Sequence, residues 1–306
     1  MSKATSAKKI AIRIVVLYAV IVIMLAALQR RLMYFPSRAE RITAQDTGLA
    51  ADRIWDFSCT TKDNIELHGW HILRKGTSAD NAEAFKEAAQ QARYVVLYFH
   101  GNGGDRRGRE YEAAVFNKFG ADTIVIDYRG YGENKGTPSE AGLAKDARAV
   151  WKYATETLEI PNDRIVIVGA SLGGGVACRL AAECCESSKP PAGIILRSTF
   201  SSMTDAASTH YPWLPVSWIL IDRYDSVSRA PAITCPVLQV HGNADTIVPI
   251  ELGEKLHGAL PNQSQTGVPK AFVEFDGIDH NNLVFGATAE YEQAVDQFFQ
   301  NIAERD

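Results

Sequence analysis

Apolar and polar positions divide the chain into two unequal parts. Residues 14–28 form an unbroken apolar run, and Ile10, Ala11 and Ile12 extend it across Arg13. The whole run is close to the ~20 residues a helix needs to cross the hydrocarbon of a bilayer. Beyond it, apolar residues come in short bursts separated by turn-forming or amphipathic stretches. Bursts at 54–59, 65–72, 94–99, 123–127, 164–168, 193–196, 236–240 and 270–275 read as strands, the first two forming a hairpin through residues 61–64. Residues 138–158, 172–186, 250–260 and 290–302 read as helices, and Pro138-Ser139-Glu140 opens the first. The polar, alanine-rich stretch 78–93 is expected to be an exposed insertion before the central strand. Strands alternating with helices predict one doubly wound, mostly parallel eight-stranded sheet with helices on both faces.

The N-terminal run has three readings. A cleaved signal peptide needs a small-x-small site, and residues 26–30 offer a poor one. A buried globular helix is rarely so uniformly apolar. A single-pass anchor fits its length and its basic flanks, Lys3, Lys8, Lys9 and Arg13 on one side and Arg30 and Arg31 on the other. The flanks nearly balance, so orientation is undetermined. The expected organisation is a tail at 1–9, an anchor at 10–28, a juxtamembrane linker at 29–52 and a globular domain at 53–306 with a cap at about 201–226. Because the first core strand begins near Ile54, a chain starting near Ser37 is expected to fold and be soluble by itself.

Candidate chemistry sits where the strands end. Gly169-Ala170-Ser171-Leu172-Gly173 lies between a buried strand and a small-residue helix, the setting of a nucleophile elbow. Alone, G-x-S-x-G occurs by chance in roughly one chain in ten of this length. A serine nucleophile also needs a base and an acid to orient that base. Asp245 follows the strand at 236–240, and His280 follows the strand at 270–275. The order Ser171, Asp245, His280 is the order this strand-turn-helix architecture uses. Asp222 and Asp225 are rival acids, and Asp279 is a poorer one. Asn102, in the loop after the strand at 94–99, and Leu172 are the expected backbone donors to an oxyanion.

Other features narrow the picture. The chain of 306 residues has a net charge of −4, which gives no reason to expect nucleic acid. Five cysteines show no paired spacing and read as small buried hydrophobes. No metal-ligand spacing or dinucleotide loop is present, so neither a metal nor a cofactor is expected. The Pro-broken apolar stretch 209–225 suits a cap over an acyl pocket. Tyr211 and Trp213 in it, with Trp218 and with Tyr128 after the strand at 123–127, are candidate substrate contacts. Arg106, Arg107 and Arg109 either hold an anionic headgroup or form a solvated surface.

Taken in order, residues 100–104, 127–132, 136–140, 169–174, 198–200, 241–245 and 279–281 resemble an α/β-hydrolase of the bud-emergence type, related to the α/β-hydrolase-domain depalmitoylases. Gln29-Arg30-Arg31-Leu32-Met33-Tyr34-Phe35-Pro36 is similar to that family as well. The chain departs from the family pattern at Asn134, where Ser is usual, and at Arg197, where an acidic residue is usual; the latter change leaves Asp245 as the acid. The resemblance implies an α/β-hydrolase fold and a membrane-anchored serine hydrolase acting on a small acylated or lipid-like ester or thioester, with no obligate protein partner. A peptidase or aminopeptidase on the same fold is the enzymatic alternative, and a non-catalytic membrane scaffold the other.

Overall fold

The computed structural model describes residues 3–304. Its strands are β1 (Phe35–Pro36), β2 (Ile54–Thr60), β3 (Glu66–Ile72), β4 (Tyr94–Phe99), β5 (Gly103–Gly104), β6 (Ala121–Ile126), β7 (Ile165–Ala170), β8 (Gly193–Arg197), β9 (Val237–Gly242) and β10 (Ala271–Phe275). Eight of them form one sheet in the order β10-β9-β8-β7-β4-β6-β3-β2, while β1 and β5 pair separately. Within the large sheet only β3 runs against its neighbours. From β4 the chain steps to β6 on one side and then to β7 on the other. The carboxyl ends of β4 and β7 therefore flank the switch point, where open α/β sheets bind ligands.

The helices are α1 (Lys3–Met33), α2 (Ala82–Gln91), α3 (Glu110–Asn117), α4 (Glu140–Lys152), α5 (Leu172–Glu186), α6 (Met203–His210), α7 (Val216–Ile219), α8 (Ser226–Arg229), α9 (Ile250–Ala259), α10 (Leu283–Gly286) and α11 (Thr288–Ala303). Alternation along β4 shows how they sandwich the sheet. Val95, Leu97 and Phe99 face a core shared with α4, α5 and α9. Tyr94, Val96 and Tyr98 face a core shared with α3 and α11. Burial on both faces is why this strand reads as a continuous apolar run rather than an alternating one.

Two expectations need correction. Residues 78–93 are not a plain exposed insertion. Asn81 caps α2 by accepting from the Ala84 N–H at 3.0 Å, and Phe85, Ala88 and Ala89 at helical spacing are buried, with Phe85 packed on Leu73 and Ala79. Residues 29–52 are not a linker either. Met33, Tyr34 and Ile42 are buried, β1 pairs in parallel with β5, and Arg38 bridges to Gly132. A chain starting at Ser37 would lack Met33, Tyr34 and β1, all of which pack on the domain.

The segment is drawn in by buried polar groups. Arg106 is almost fully buried, and its guanidinium donates to Asp127, to Glu133 Oε1 at 2.6 Å and to the Ile42 carbonyl at 2.7 Å. The same guanidinium lies over the Trp70 ring, 5.1 Å from its centroid. Burial lifts the Asp127 carboxyl to about 6 even with the arginine beside it. Arg106→Leu would leave that carboxyl buried without its partner. We expect a loss of about 3–5 kcal/mol in stability, read from denaturant unfolding. A loss below about 1 kcal/mol would mean the cluster is not what holds residues 37–42 to the domain.

Candidate active site

β7 ends at Ala170 and α5 begins at Leu172, so Ser171 alone makes the turn, with φ 52° and ψ −120°. A serine in this region costs on the order of 1–3 kcal/mol and needs support from its surroundings. The Ser171 N–H donates to the Arg197 carbonyl at 2.9 Å, and its carbonyl accepts from Thr199 Oγ1 at 2.8 Å and the Gly174 N–H at 2.9 Å. The flanking glycines have steric reasons. A Cβ on Gly169 would collide with the Gly173 carbonyl, and one on Gly173 with the carbonyls of Phe99 and His100.

His280 lies in the loop after β10 and Asp245 in the loop after β9. His280 Nε2 is 2.9 Å from Ser171 Oγ, and Nδ1 is 2.6 Å from Asp245 Oδ2. With the proton on Nδ1, the ring donates to the carboxylate and accepts from the serine hydroxyl. Asp245 Oδ1 accepts from the N–H groups of Ile247 at 2.9 Å and Val248 at 2.7 Å, which fixes the carboxylate. Burial pushes the Asp245 carboxyl up, but hydrogen bonds from His241 and His280 outweigh it and hold its pKa below the ordinary value.

The rival carboxylates are engaged elsewhere. Asp222 accepts from Arg30 Nε at 2.8 Å and the Tyr34 hydroxyl at 3.1 Å. Asp225 caps α8, and Asp279 accepts from the N–H groups of Asn281 and Asn282. His100 is fully buried, with its pKa pulled down to about 3 chiefly by burial, and its ring packs on Tyr128 and Tyr131.

Asn102 and Leu172 line the same cavity as Ser171. Leu172 is the first residue of α5, so its N–H has no acceptor within the helix. Asn102 is held by the chain that follows α1. Its carbonyl accepts from the Phe35 N–H at 2.9 Å and the Tyr131 hydroxyl at 2.8 Å, and its Nδ2 donates to the Met33 carbonyl at 2.8 Å.

Above Ser171 lies a cavity of about 570 Å³ with a mostly apolar lining. Phe200 and residues of the cap, including Met203, Tyr211, Trp213, Leu214 and Ile219, form one side. The other side was not foreseen from sequence: Ile21, Leu25, Gln29, Leu32 and Met33 of α1 line the same cavity. Their spacing is one helical face, and Gln29, the lone uncharged polar residue in that stretch of the helix, marks it. Gln29 clamps α1 to the cap, donating to the Ile219 carbonyl at 3.0 Å and accepting from the Ile221 N–H at 2.7 Å.

Two candidate substrate contacts are displaced. Tyr128 is fully buried behind the site and donates to the His100 carbonyl at 2.8 Å, because the turn after β6 folds inward. Trp218 is 88% exposed and stands on the outer face of α7, away from the cavity. Nor do the arginines near Asn102 form a headgroup site. Arg107 pairs with Asp105, Arg109 donates to the Gly103 carbonyl at 3.0 Å, and Arg106 is in the core. Arg197, where an acid was expected, is buried and donates to Glu112 at 2.6 Å and to the Tyr98 hydroxyl at 3.1 Å. Among the described residues, no group of three or more His, Cys, Asp or Glu is placed to hold a metal.

Comparison with known proteins agrees with this architecture. Residues 94–219 match the alpha/beta hydrolase fold family. An uncharacterized protein of Mycobacterium tuberculosis is 38% identical over 254 residues, covering 83% of this chain and 81% of that protein. Lysophosphatidylserine lipase ABHD12 of Danio rerio is 32% identical over 253 residues, covering 76% of this chain and 65% of the lipase. The Xenopus tropicalis lipase of the same name is 30% identical over 266 residues, covering 80% and 67%. Among solved structures, an esterase of Pyrococcus furiosus superposes with TM-score 0.61 at 19% identity, covering 88% of this chain and 97% of the esterase. A puromycin-hydrolyzing peptidase of M. tuberculosis superposes with TM-score 0.62 at 18% identity, covering 86% of this chain and 41% of the peptidase. From its sheet order, its strand-turn-helix serine and these relatives, the chain belongs to the α/β-hydrolase superfamily.

Proposed function

We propose that the protein is a membrane-anchored serine hydrolase that removes the acyl chain from a lipid ester or thioester, a single-chain phospholipid being the preferred class. The observation that carries this reading is the hydrogen-bonded series Ser171–His280–Asp245 at the floor of an apolar cavity within the ~300–1,000 Å³ typical of ligand sites. Relatives named as lysophosphatidylserine lipases support the substrate class. The apolar helix supports the anchor: the stretch Ala7–Met33 has mean hydropathy 2.8 in its best window, none of whose residues is fully buried.

The steps follow from the geometry. Ser171 Oγ attacks the acyl carbonyl while His280 Nε2 takes its proton. Asp245 stabilises the imidazolium and keeps the ring's Nδ1 proton facing it. The N–H groups of Leu172 and Asn102, with the positive end of α5, stabilise the oxyanion. As the intermediate collapses, His280 returns the proton to the leaving alcohol or thiol. Water then attacks the acyl-enzyme by the reverse sequence, with His280 again the base.

A peptidase that takes a free α-amine calls for a carboxylate at the cavity, and no acidic side chain lines it. Fluorophosphonate labelling, then a panel of lysophospholipids, acyl thioesters and aminoacyl amides, tests the reading. Ser171→Ala and His280→Ala should each lower turnover by at least roughly 10³ with folding intact, and Asp245→Asn by less but still by orders of magnitude. Wild-type labelling in Ser171→Ala, or preference for aminoacyl amides, would reject the proposal.

The α1 wall gives a second prediction. Leu25→Trp fills cavity volume far from the serine. Turnover of long acyl chains should fall about tenfold or more relative to chains of a few carbons, measured as a chain-length profile. An unchanged profile would remove α1 from the acyl site.

A further inference from the structure

α1 has two unlike halves. Residues 7–20 are exposed all round, whereas Ile21, Val22, Leu25, Ala26, Gln29 and Met33 are partly or fully covered. What covers them is the cap, and two contacts fix its level along the helix. The cap backbone at Ile219 and Ile221 bonds Gln29, at the end of the apolar run. The Trp213 carbonyl accepts from the Tyr18 hydroxyl at 2.8 Å, near its middle. From Gln29 back to Tyr18 the helix rises on the order of 16 Å at ~1.5 Å per residue. That is about half of the ~30 Å hydrocarbon thickness, one leaflet.

If α1 spans the bilayer, the cap beside it cannot remain in water. Its outward surface suits the alternative. Trp218 is 88% exposed and Ile221 65%, and neither lines the cavity. Of the residues that do line it, Leu32, Tyr211, Trp213 and Ile247 are each about half exposed, so the cavity reaches the surface among apolar side chains. This patch continues the lipid-facing surface of α1, and Arg30 and Arg31 follow just past the apolar run, where polar headgroups begin.

We propose that the cap is embedded in the leaflet nearest the hydrolase domain, and that the cavity draws its lipid sideways from that leaflet between α1 and the cap. The partner is a lipid leaflet. The lateral route rests on the proposed lipid hydrolysis; the embedding does not. An acyl chain on this path passes from bilayer to cavity without crossing water. The other half of α1, exposed beyond Tyr18, is left to span the opposite leaflet.

Two measurements on the full chain in phosphatidylcholine vesicles test this. In Ser171→Ala protein, Trp218 fluorescence, isolated by difference from a Trp218→Phe companion, should be quenched at least about twofold by lipids brominated on the acyl chain. Absence of quenching, as when the patch stays in water or is covered by a second copy of the chain, overturns the embedding. Separately, Trp218→Asp and Ile221→Asp should lower hydrolysis of vesicle-borne long-chain lysophospholipid about tenfold or more, while a short water-soluble ester is cleaved within about twofold of wild type. Equal loss on both substrates, or no loss on vesicles, overturns lateral entry. If wild-type protein cleaves no ester, the hydrolase reading fails and lateral entry with it, while quenching still decides whether the cap is embedded.

Discussion

Gly173 lies so near the carbonyls of Phe99 and His100 that no side chain fits between them. This approach brings the first turn of α5 against the end of β4. It places the Leu172 N–H beside the loop that carries Asn102, and it requires the chain to leave β7 through a single residue. Ser171 takes the strained conformation that results. A carbonyl from the end of β8 and a hydroxyl just beyond it, on Thr199, hold it there. The strain is local, of order a few kcal/mol, and the sheet can bear it because β4, β7 and β8 are buried on both faces. Asp245 and His280 then need only short loops from β9 and β10 to reach the hydroxyl.

The same loop ties the site to the end of α1. Asn102 is fixed from three directions, two of them the chain just after α1: the Met33 carbonyl and the Phe35 N–H. Below these, Tyr34 bonds Asp222 and Tyr224 in a buried cluster that also receives Arg30. Losing the chain through Tyr34 would take both Arg30 and the Tyr34 hydroxyl from Asp222 and Tyr224, at about 1–3 kcal/mol for each buried group left unsatisfied. The end of α1 and Tyr34 are therefore part of the domain's polar core. A disturbance of α1 reaches the loop carrying Asn102 through the Met33 carbonyl and the Phe35 N–H.

Much of this was legible in sequence because the physics that shapes the centre of the sheet is repetitive. Strands buried on both faces must be apolar throughout, and every chemical group follows a strand end. That pattern was enough to order Ser171, Asp245 and His280 along the chain. The features that were not legible depend on partners distant in sequence. Nothing near Arg106 says that its guanidinium will be met by Asp127, Glu133 and the Ile42 carbonyl, so a core residue read as surface. Residues 29–52 lack regular periodicity because they are held by side-chain-to-backbone bonds and a two-residue strand. Tyr128 and Trp218 were misplaced for a common reason. Aromatic residues mark a packed or membrane-facing region without saying which way each ring points.

The polar groups in the cavity bear on what it can recognise. Besides Ser171 and Asn102 at its floor, the lining carries polar atoms on Gln29 and His210 and, toward the surface, on Tyr211 and Trp213. Gln29 is spent on the cap backbone, and His210 lies 2.9 Å from the Ile247 carbonyl. Neither is placed to meet a charged headgroup within the cavity, and burying such a group there unpaired would cost several kcal/mol. The mostly apolar lining is matched to an apolar ligand.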